Sequence, residues 1–408
     1  MKWSPGELVD FVSKVLYEVS KGLTLDYSFQ KVKKRWRRLD SFKVFYDVSE
    51  DVVRNYYFLK FAASILFSSE SHKAVAKAWF VMRADKVLYN REMVDRFRKK
   101  LLKRAVGDPS DVYKALEEKE VDQYLSIKYS YHIDIVRNLL RYMSREEVER
   151  VLKAGNSNWI WLRVVKDVDK VVKVLEKEAE VEPHPEIPFM YLVKKTSRPI
   201  QYLTAVKNFW AIPQDISSVY VVLALNPQPG ESIIDLAAAP GMKTSLIIQL
   251  TEGRVKIVAV DLSAKRVARM KWLLKKLGMY NYVEVVRSDS RRLKTRRFDK
   301  ALLDAPCTSS GAFTKEPAAK IYPRVEEAYK YSEIQAAMLK NALAISDAVT
   351  YAVCSILPQE GEEVVAKSGG FVTKPLPQLS PAYWGGLGGR TFPHLHRGEA
   401  FFIANVSP

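Results

Sequence analysis

Cysteine is nearly absent from this 408-residue chain, which holds two, Cys307 and Cys354. So sparse a supply excludes a disulfide scaffold. Long apolar runs are missing too, so no stretch predicts a membrane span. The opening Met1-Lys2-Trp3-Ser4-Pro5-Gly6-Glu7 lacks the apolar region of a signal peptide. Acidic residues are in short supply: 47 Asp and Glu stand against 65 Lys and Arg, a net charge of +18. Such an excess favours a polyanion, nucleic acid before an anionic membrane surface, because no amphipathic terminal anchor is visible. With two cysteines and no export signal, the expected compartment is the reducing cytoplasm, and a Cys307–Cys354 disulfide is the weaker alternative. A monomer without a metal is expected.

What is present falls into three patterns, as the length of the chain requires. Residues 1–125 read as all helix. Ser4-Pro5-Gly6-Glu7 is a capped start. Leu8, Val12, Val15, Leu16 and Val19 share one helical face, and 52–67 predicts a single core helix, apolar nearly all round. Residues 126–205 predict a small α/β adapter, with a strand over 159–164, a helix over 168–178 and a proline-stiffened loop over 183–188. Over 206–408 strands alternate with helices, at 232–236, 257–262, 283–287, 300–303, 348–353, 371–374 and 401–406. That rhythm predicts an α/β fold, a doubly wound, mainly parallel Rossmann-like sheet of about seven strands with its ligand at the carboxyl edge.

Basic clusters lie at 31–38, 96–104 and 291–297. Each reads either as a solvated face or as a row of phosphate contacts.

The first strand of the sheet runs into Ala237-Ala238-Ala239-Pro240-Gly241-Met242-Lys243-Thr244. Small residues between strand and helix let a ligand approach the backbone. The stretch is neither G-x-G-x-x-G nor a phosphate loop, since Ala238 stands where the loop's first glycine belongs. Asp235, Asp261 and Asp289 end three successive strands. An acid at the second strand suits ribose hydroxyls, and one at the third suits an adenine amino group. Singly each is as readily a helix cap; together they point to S-adenosylmethionine.

Each cysteine follows an apolar run, in Asp304-Ala305-Pro306-Cys307 and Tyr351-Ala352-Val353-Cys354-Ser355. Two thiols at neighbouring parallel strand ends would face one crevice, although free cysteine is often merely buried. A thiolate that adds to carbon 6 of cytosine makes carbon 5 nucleophilic enough to take a methyl group. Asp304 suits the exocyclic amine and ring nitrogen, Lys243 a supporting cation, and a second thiol the release step. The residues alone leave open which cysteine attacks.

These motifs, with Ser355-Ile356-Leu357-Pro358-Gln359-Glu360, Gln214-Asp215-Ile216-Ser217-Ser218 and Arg390-Thr391-Phe392-Pro393-His394, resemble those of the RNA cytosine-C5 methyltransferases of the RsmB/Sun type, over roughly 126–408. The N-terminal helices are similar to the NusB-like RNA-binding domain of that branch at Val15-Leu16-Tyr17-Glu18 and Gly22-Leu23-Thr24-Leu25-Asp26. The resemblance implies formation of 5-methylcytosine in RNA, ribosomal before transfer RNA, through a covalent cysteine–C6 adduct. It makes Cys354 the nucleophile and gives product release to Cys307. It places cofactor contacts on Ala237, Ala238, Ala239, Pro240, Gly241, Met242, Lys243, Asp261, Arg266, Asp289 and Asp304. Ala237, Met242, Val353, Gly361 and Ala400 depart from the usual cysteine, glycine, threonine, asparagine and glycine. Two other readings stand beside it: an RNA-binding assembly factor with a vestigial catalytic domain, and an exocyclic-amine methyltransferase, since Asp304-Ala305-Pro306-Cys307 loosely resembles an Asp-Pro-Pro-Tyr site.

Overall fold

The computed structural model describes residues 3–36, 42–321 and 325–408. Packing divides the chain into two compact units, Met1–Asn156 with Ala312–Arg324, and Ser157–Gly311 with Val325–Pro408. The expected boundaries near 125 and 205 each fall inside a unit.

The first unit is helical. Its opening helix, Pro5–Val19, starts as the sequence predicts: the Ser4 hydroxyl accepts the Glu7 N–H at 3.2 Å and the Glu7 carboxylate accepts the Ser4 N–H at 2.7 Å. Leu8, Val12, Val15, Leu16 and Val19 are all buried. The single helix expected over 52–67 is instead two, Phe42–Arg54 and Tyr56–Phe67. At the break the Asn55 side chain donates to the Asp51 carbonyl at 2.7 Å. Short amides compete in this way with the backbone's own ladder.

The insertion from Ala312 joins this unit through its own packing. Ala318 and Ile321 enter the helical core. Arg54 donates to the Thr314 carbonyl at 2.9 Å, and the fully buried Lys320 donates to the Arg54 carbonyl at 2.7 Å. The basic stretch 96–104 is partly neutralised. Arg96 pairs with Glu92 at 2.6 Å, and Arg98 pairs with Asp95 at 3.0 Å and also with Asp85. In the 31–38 stretch Lys31 pairs with Glu18 at 2.7 Å, while Arg37 and Arg38 lie outside the described residues.

The second unit carries two sheets. A small antiparallel sheet consists of β1 (Trp161–Val164), β2 (Ala179–Pro183), β3 (Met190–Thr196) and β4 (Ala211–Pro213), in the order β2-β3-β1-β4. The larger sheet holds β5 (Ser232–Asp235), β6 (Lys256–Asp261), β7 (Val283–Arg287), β8 (Phe298–Asp304), β9 (Ser346–Val353), β10 (Phe371–Thr373), β11 (Ser380–Pro381), β12 (Gly389–Arg390) and β13 (Phe402–Ser407). Its order is β11-β12-β13-β9-β8-β5-β6-β7, with β10 beside β13. From β9 to β7 the pairs are parallel, and the strands around β13 are antiparallel.

All seven expected strands are present, and the additions, β11 and β12, are two residues each. Ile233 and Ile234 are buried in cores on opposite faces of the sheet, which is why β5 reads as a continuous apolar run. Between β5 and β8 the chain order reverses, and that switch places a crevice at the carboxyl ends. No helix among the described residues is long and apolar enough to cross a membrane.

Trp79 anchors the helical core: it is fully buried, and its Nε1 donates to Asp51 at 2.7 Å. Trp79→Ala is expected to cost about 3–5 kcal/mol in urea unfolding followed by far-ultraviolet circular dichroism. An unchanged midpoint would remove Trp79 from that role.

Candidate active site

The turn after β5 is built from both sides. Gly241 has φ +98°, and a Cβ there would stand 3.1 Å from the Met270 side chain, so glycine is required. The Ala238 N–H reaches the Val260 carbonyl at 2.9 Å, which ties the turn to β6. Beneath it the buried Asp235 accepts the Thr244 hydroxyl at 2.7 Å. Burial pushes its carboxyl up to about 7. Asp235 therefore braces the turn, and it does not line the main cavity.

That cavity, about 620 Å³, lies at the carboxyl ends of the parallel strands. It gathers Asp261, Arg266, Asp289, Asp304, Cys307 and Cys354, with Ala237 and Ala239 in its wall. Asp235, Ala238, Pro240, Met242 and Lys243 line a smaller void of about 30 Å³ that shares Ala237, Ala239 and Asp304 with the larger cavity. Gly241 lines neither and acts through its backbone.

Asp261 is oriented by the Ser263 N–H at 3.0 Å and by Arg266 at 3.3 Å, and Arg266 also donates to the Ala239 carbonyl at 2.6 Å. Arg291 grips Asp289 through Nε at 3.0 Å and Nη2 at 2.6 Å and holds its carboxyl down at about 2. A nucleoside with an amino-acid tail fits this lining: small side chains where the backbone must be approached, a fixed acid for ribose and a second acid beyond it. Among the described residues no group of three His, Cys, Asp or Glu could hold a metal ion.

The thiols meet because β8 and β9 are parallel neighbours, paired Asp304 with Ala352. Cys307 Sγ and Cys354 Sγ stand 3.0 Å apart, both free. The hydrogen bond to Cys354, together with burial, pushes the Cys307 thiol well above its ordinary range. Either sulfur can donate in this contact. Lys243 is engaged by Asp304 at 2.5 Å, beside the thiols, not on them.

Sequence reasoning assigned no task to Glu360, which registers the two thiol loops. Fully buried, it accepts from Thr308 N–H at 2.8 Å, Thr308 hydroxyl at 2.5 Å, Ser355 hydroxyl at 2.6 Å and Gln335 Nε2 at 3.1 Å. Thr308 follows Cys307 and Ser355 follows Cys354. A second buried acid, Glu362, pairs with Arg390 at 2.6 Å, and Arg390 reaches the Ser355 carbonyl at 2.9 Å. The available signal was a pair of acids just after the apolar Ile356 and Leu357.

Two tests follow from this geometry. Glu360→Gln presents an amide donor to donors, so a loss of about 2–3 kcal/mol is expected in urea unfolding, with faster modification of Cys354 by thiol reagents. Parent-like stability would sink the role of Glu360. Asp235 gives a pH test. Its ordinary value is 3.8, so between about pH 4 and 7 the folded chain holds a proton that the unfolded chain has lost. Stability then falls as pH rises through that window, by at most about 1.4 kcal/mol per pH unit. Asp235→Asn should flatten the slope in unfolding titrations at pH 4, 5.5 and 7; an unaltered slope would place the titrating group elsewhere.

Residues 222–407 match the model of the family described as 16S rRNA methyltransferase RsmB/F. The ribosomal RNA small subunit methyltransferase B of Photorhabdus laumondii is 30% identical over 280 residues, 64% of this chain and 63% of that protein. Its namesake from Yersinia enterocolitica is 29% identical over 272 residues, 64% and 62% of the two chains. The chain thus spans under two thirds of the length of these relatives. The crystal structure of PH0851 superposes with a TM-score of 0.78 at 21% identity over 100% of both chains, a likeness of fold. A methyltransferase homolog from Pyrococcus horikoshii gives 0.61 at 27% identity, over 69% of this chain and 97% of that one. Over residues 222–407, which hold the strand-end acids and the paired thiols, the chain is similar to the RsmB/F methyltransferases.

Proposed function

We propose that this protein methylates carbon 5 of cytosine in RNA through a covalent adduct with Cys354. The observation that carries the reading is the pair of thiols 3.0 Å apart on the cavity that also holds Asp261, Asp289 and Asp304. S-adenosylmethionine, the methyl donor of this family, supplies an electrophilic methyl group when bound. Ala237, Ala239, Asp261, Arg266 and Asp289 are the residues that would hold it, with Ala238 and Pro240 to Lys243 shaping the turn.

The proposed division of labour, attack by Cys354 and product release by Cys307, comes from the resemblance to the RNA cytosine-C5 methyltransferases. The hydrogen bond to Cys354 and burial raise the Cys307 thiol, which supports a role for it other than attack. The Cys354 sulfur bonds to carbon 6 of the cytosine, and the electron pair of the 5,6 double bond becomes available at carbon 5. Asp304, fixed by Lys243, accepts from the exocyclic amine and steadies a proton at nitrogen 3. After methylation carbon 5 carries a proton that must leave. Cys307, which loses its own proton to solvent while the adduct stands, takes the carbon 5 proton. The sulfur–carbon 6 bond then breaks, and Cys354 is freed as thiolate.

Ribosomal RNA is the proposed substrate, supported by the relatives named for the small ribosomal subunit. The target base must be single-stranded or flipped out to reach the thiols. The helical unit, NusB-like by the motifs in its first helices, is proposed to bind RNA.

The test is adduct trapping. Incubated with ribosomal RNA and S-adenosylmethionine, Cys307→Ala is expected to accumulate a denaturant-resistant protein–RNA species, and Cys354→Ala none. The reverse pattern would exchange the roles. Methylation that survives Cys354→Ala would favour attack by an exocyclic amine, and cofactor binding without turnover would favour an assembly factor.

A further inference from the structure

The positive charge of this chain is not spread evenly. Residues 256–297 contain thirteen Lys and Arg against three Asp and Glu, a net of +10 in a chain whose total is +18. The centre of this segment is the helix Ala264–Lys276, and no acid occurs anywhere in 262–283.

We propose that the outer face of this helix is a docking track for single-stranded RNA leading to the cavity; the proposal rests on the reading of the chain as an RNA methyltransferase. Lys265, Arg269, Trp272 and Lys276 are spaced four, three and four residues apart, so they form one stripe along the helix. All four are exposed, Trp272 at 52%. The stripe runs about 16 Å at 1.5 Å per residue. Its first member neighbours Arg266, which lines the cavity. Val267, Met270, Leu273 and Leu274 bury the opposite face in the core.

Charge and aromatic content favour nucleic acid over a protein surface. Among the described residues, Lys265, Arg269 and Lys276 have no ion-pair partner, and the only cation of the helix that has one is Arg266, with Asp261. The basic helix Arg91–Leu102 differs, because its own Glu92 and Asp95 pair with Arg96 and Arg98. Uncompensated cations on one face repel each other, a cost that a polyanion relieves.

The indole of Trp272 packs edge-on against Phe209, with centroids 5.6 Å apart, and this contact fixes the ring while half of it stays in solvent. Tyr282, 47% exposed, and Tyr280, with Lys275 over its ring at 5.1 Å, lie just beyond the helix end. Cations interleaved with held aromatic rings are what unstacked bases on a phosphate backbone require. Arg287, Arg291, Arg292, Lys294 and Arg296, all exposed, continue the charge beside the cavity. Glu284 on β7 is the one exposed carboxylate of 256–288.

The experiment is fluorescence anisotropy of the full chain with an end-labelled, unstructured oligoribonucleotide across a series of salt concentrations. The triple variant Lys265→Gln, Arg269→Gln, Lys276→Gln is expected to lower the slope of log affinity against log salt by about 2, at about 0.7 per phosphate contact on a single strand. Trp272→Leu keeps an apolar contact with Phe209 and removes the stacking surface. Its expected effect is roughly tenfold weaker binding with the slope unchanged. Duplex RNA of the same sequence should compete poorly. A parent-like slope in the triple variant, parent-like affinity in Trp272→Leu, or equal competition by duplex each overturns the proposal. Methyl transfer is read separately. If the variants behave as expected while the parent methylates no RNA, the track stands and the catalytic reading fails. If the parent methylates RNA and the triple variant binds as the parent does, the track alone fails.

Discussion

The meeting of the two thiols depends on one buried carboxylate. Glu360 accepts four hydrogen bonds from three residues, two of which directly follow the cysteines. A charged group with no exposure is tolerated only when its lone pairs are filled. That requirement keeps the loop after β8 and the loop after β9 in one register. The sulfurs therefore meet at 3.0 Å without a covalent link between them. Gln335, from the helix Val325–Ile345, adds a third element to the same knot. The Arg390–Glu362 pair holds the Ser355 carbonyl from the other side.

A parallel logic supports the cofactor side of the cavity. Asp235 sits under the turn after β5 and binds Thr244, while Arg266 clasps both Asp261 and the Ala239 carbonyl from above. The two acids that end β5 and β6 look alike in the sequence, yet they do opposite work. Asp235 is sealed and keeps its proton up to about pH 7, whereas Asp261 faces the cavity. A strand-end acid thus lines the larger cavity or braces the turn according to which side of the turn its carboxyl falls on.

Much of this was legible in the chain. Parallel strands buried on both faces read as apolar runs, and every expected strand of the larger sheet is present for that reason. Other features were not. The break at Asn55 depends on a side chain reaching back to a carbonyl, which hydrophobic periodicity does not register. The membership of Ala312–Arg324 in the helical unit rests on Lys320 and Ile321 finding partners more than 150 positions away. Glu360 was visible only as one more acid in a motif.

By itself the sequence determined the residue types and their order: two thiols, strand-end acids, a small-residue turn, a basic surplus and the α/β rhythm. These are local properties, carried by composition and by periods of two and 3.6 residues. The tertiary structure decided that the two thiols meet, which acid braces the turn and which lines the larger cavity, and which face of the basic helix is exposed. Those outcomes depend on burial and on partners 47 to 61 positions apart, such as Cys307 with Cys354 and Lys243 with Asp304. Proton affinity is set by what surrounds a group in space, and that neighbourhood exists only once β8 and β9 lie side by side.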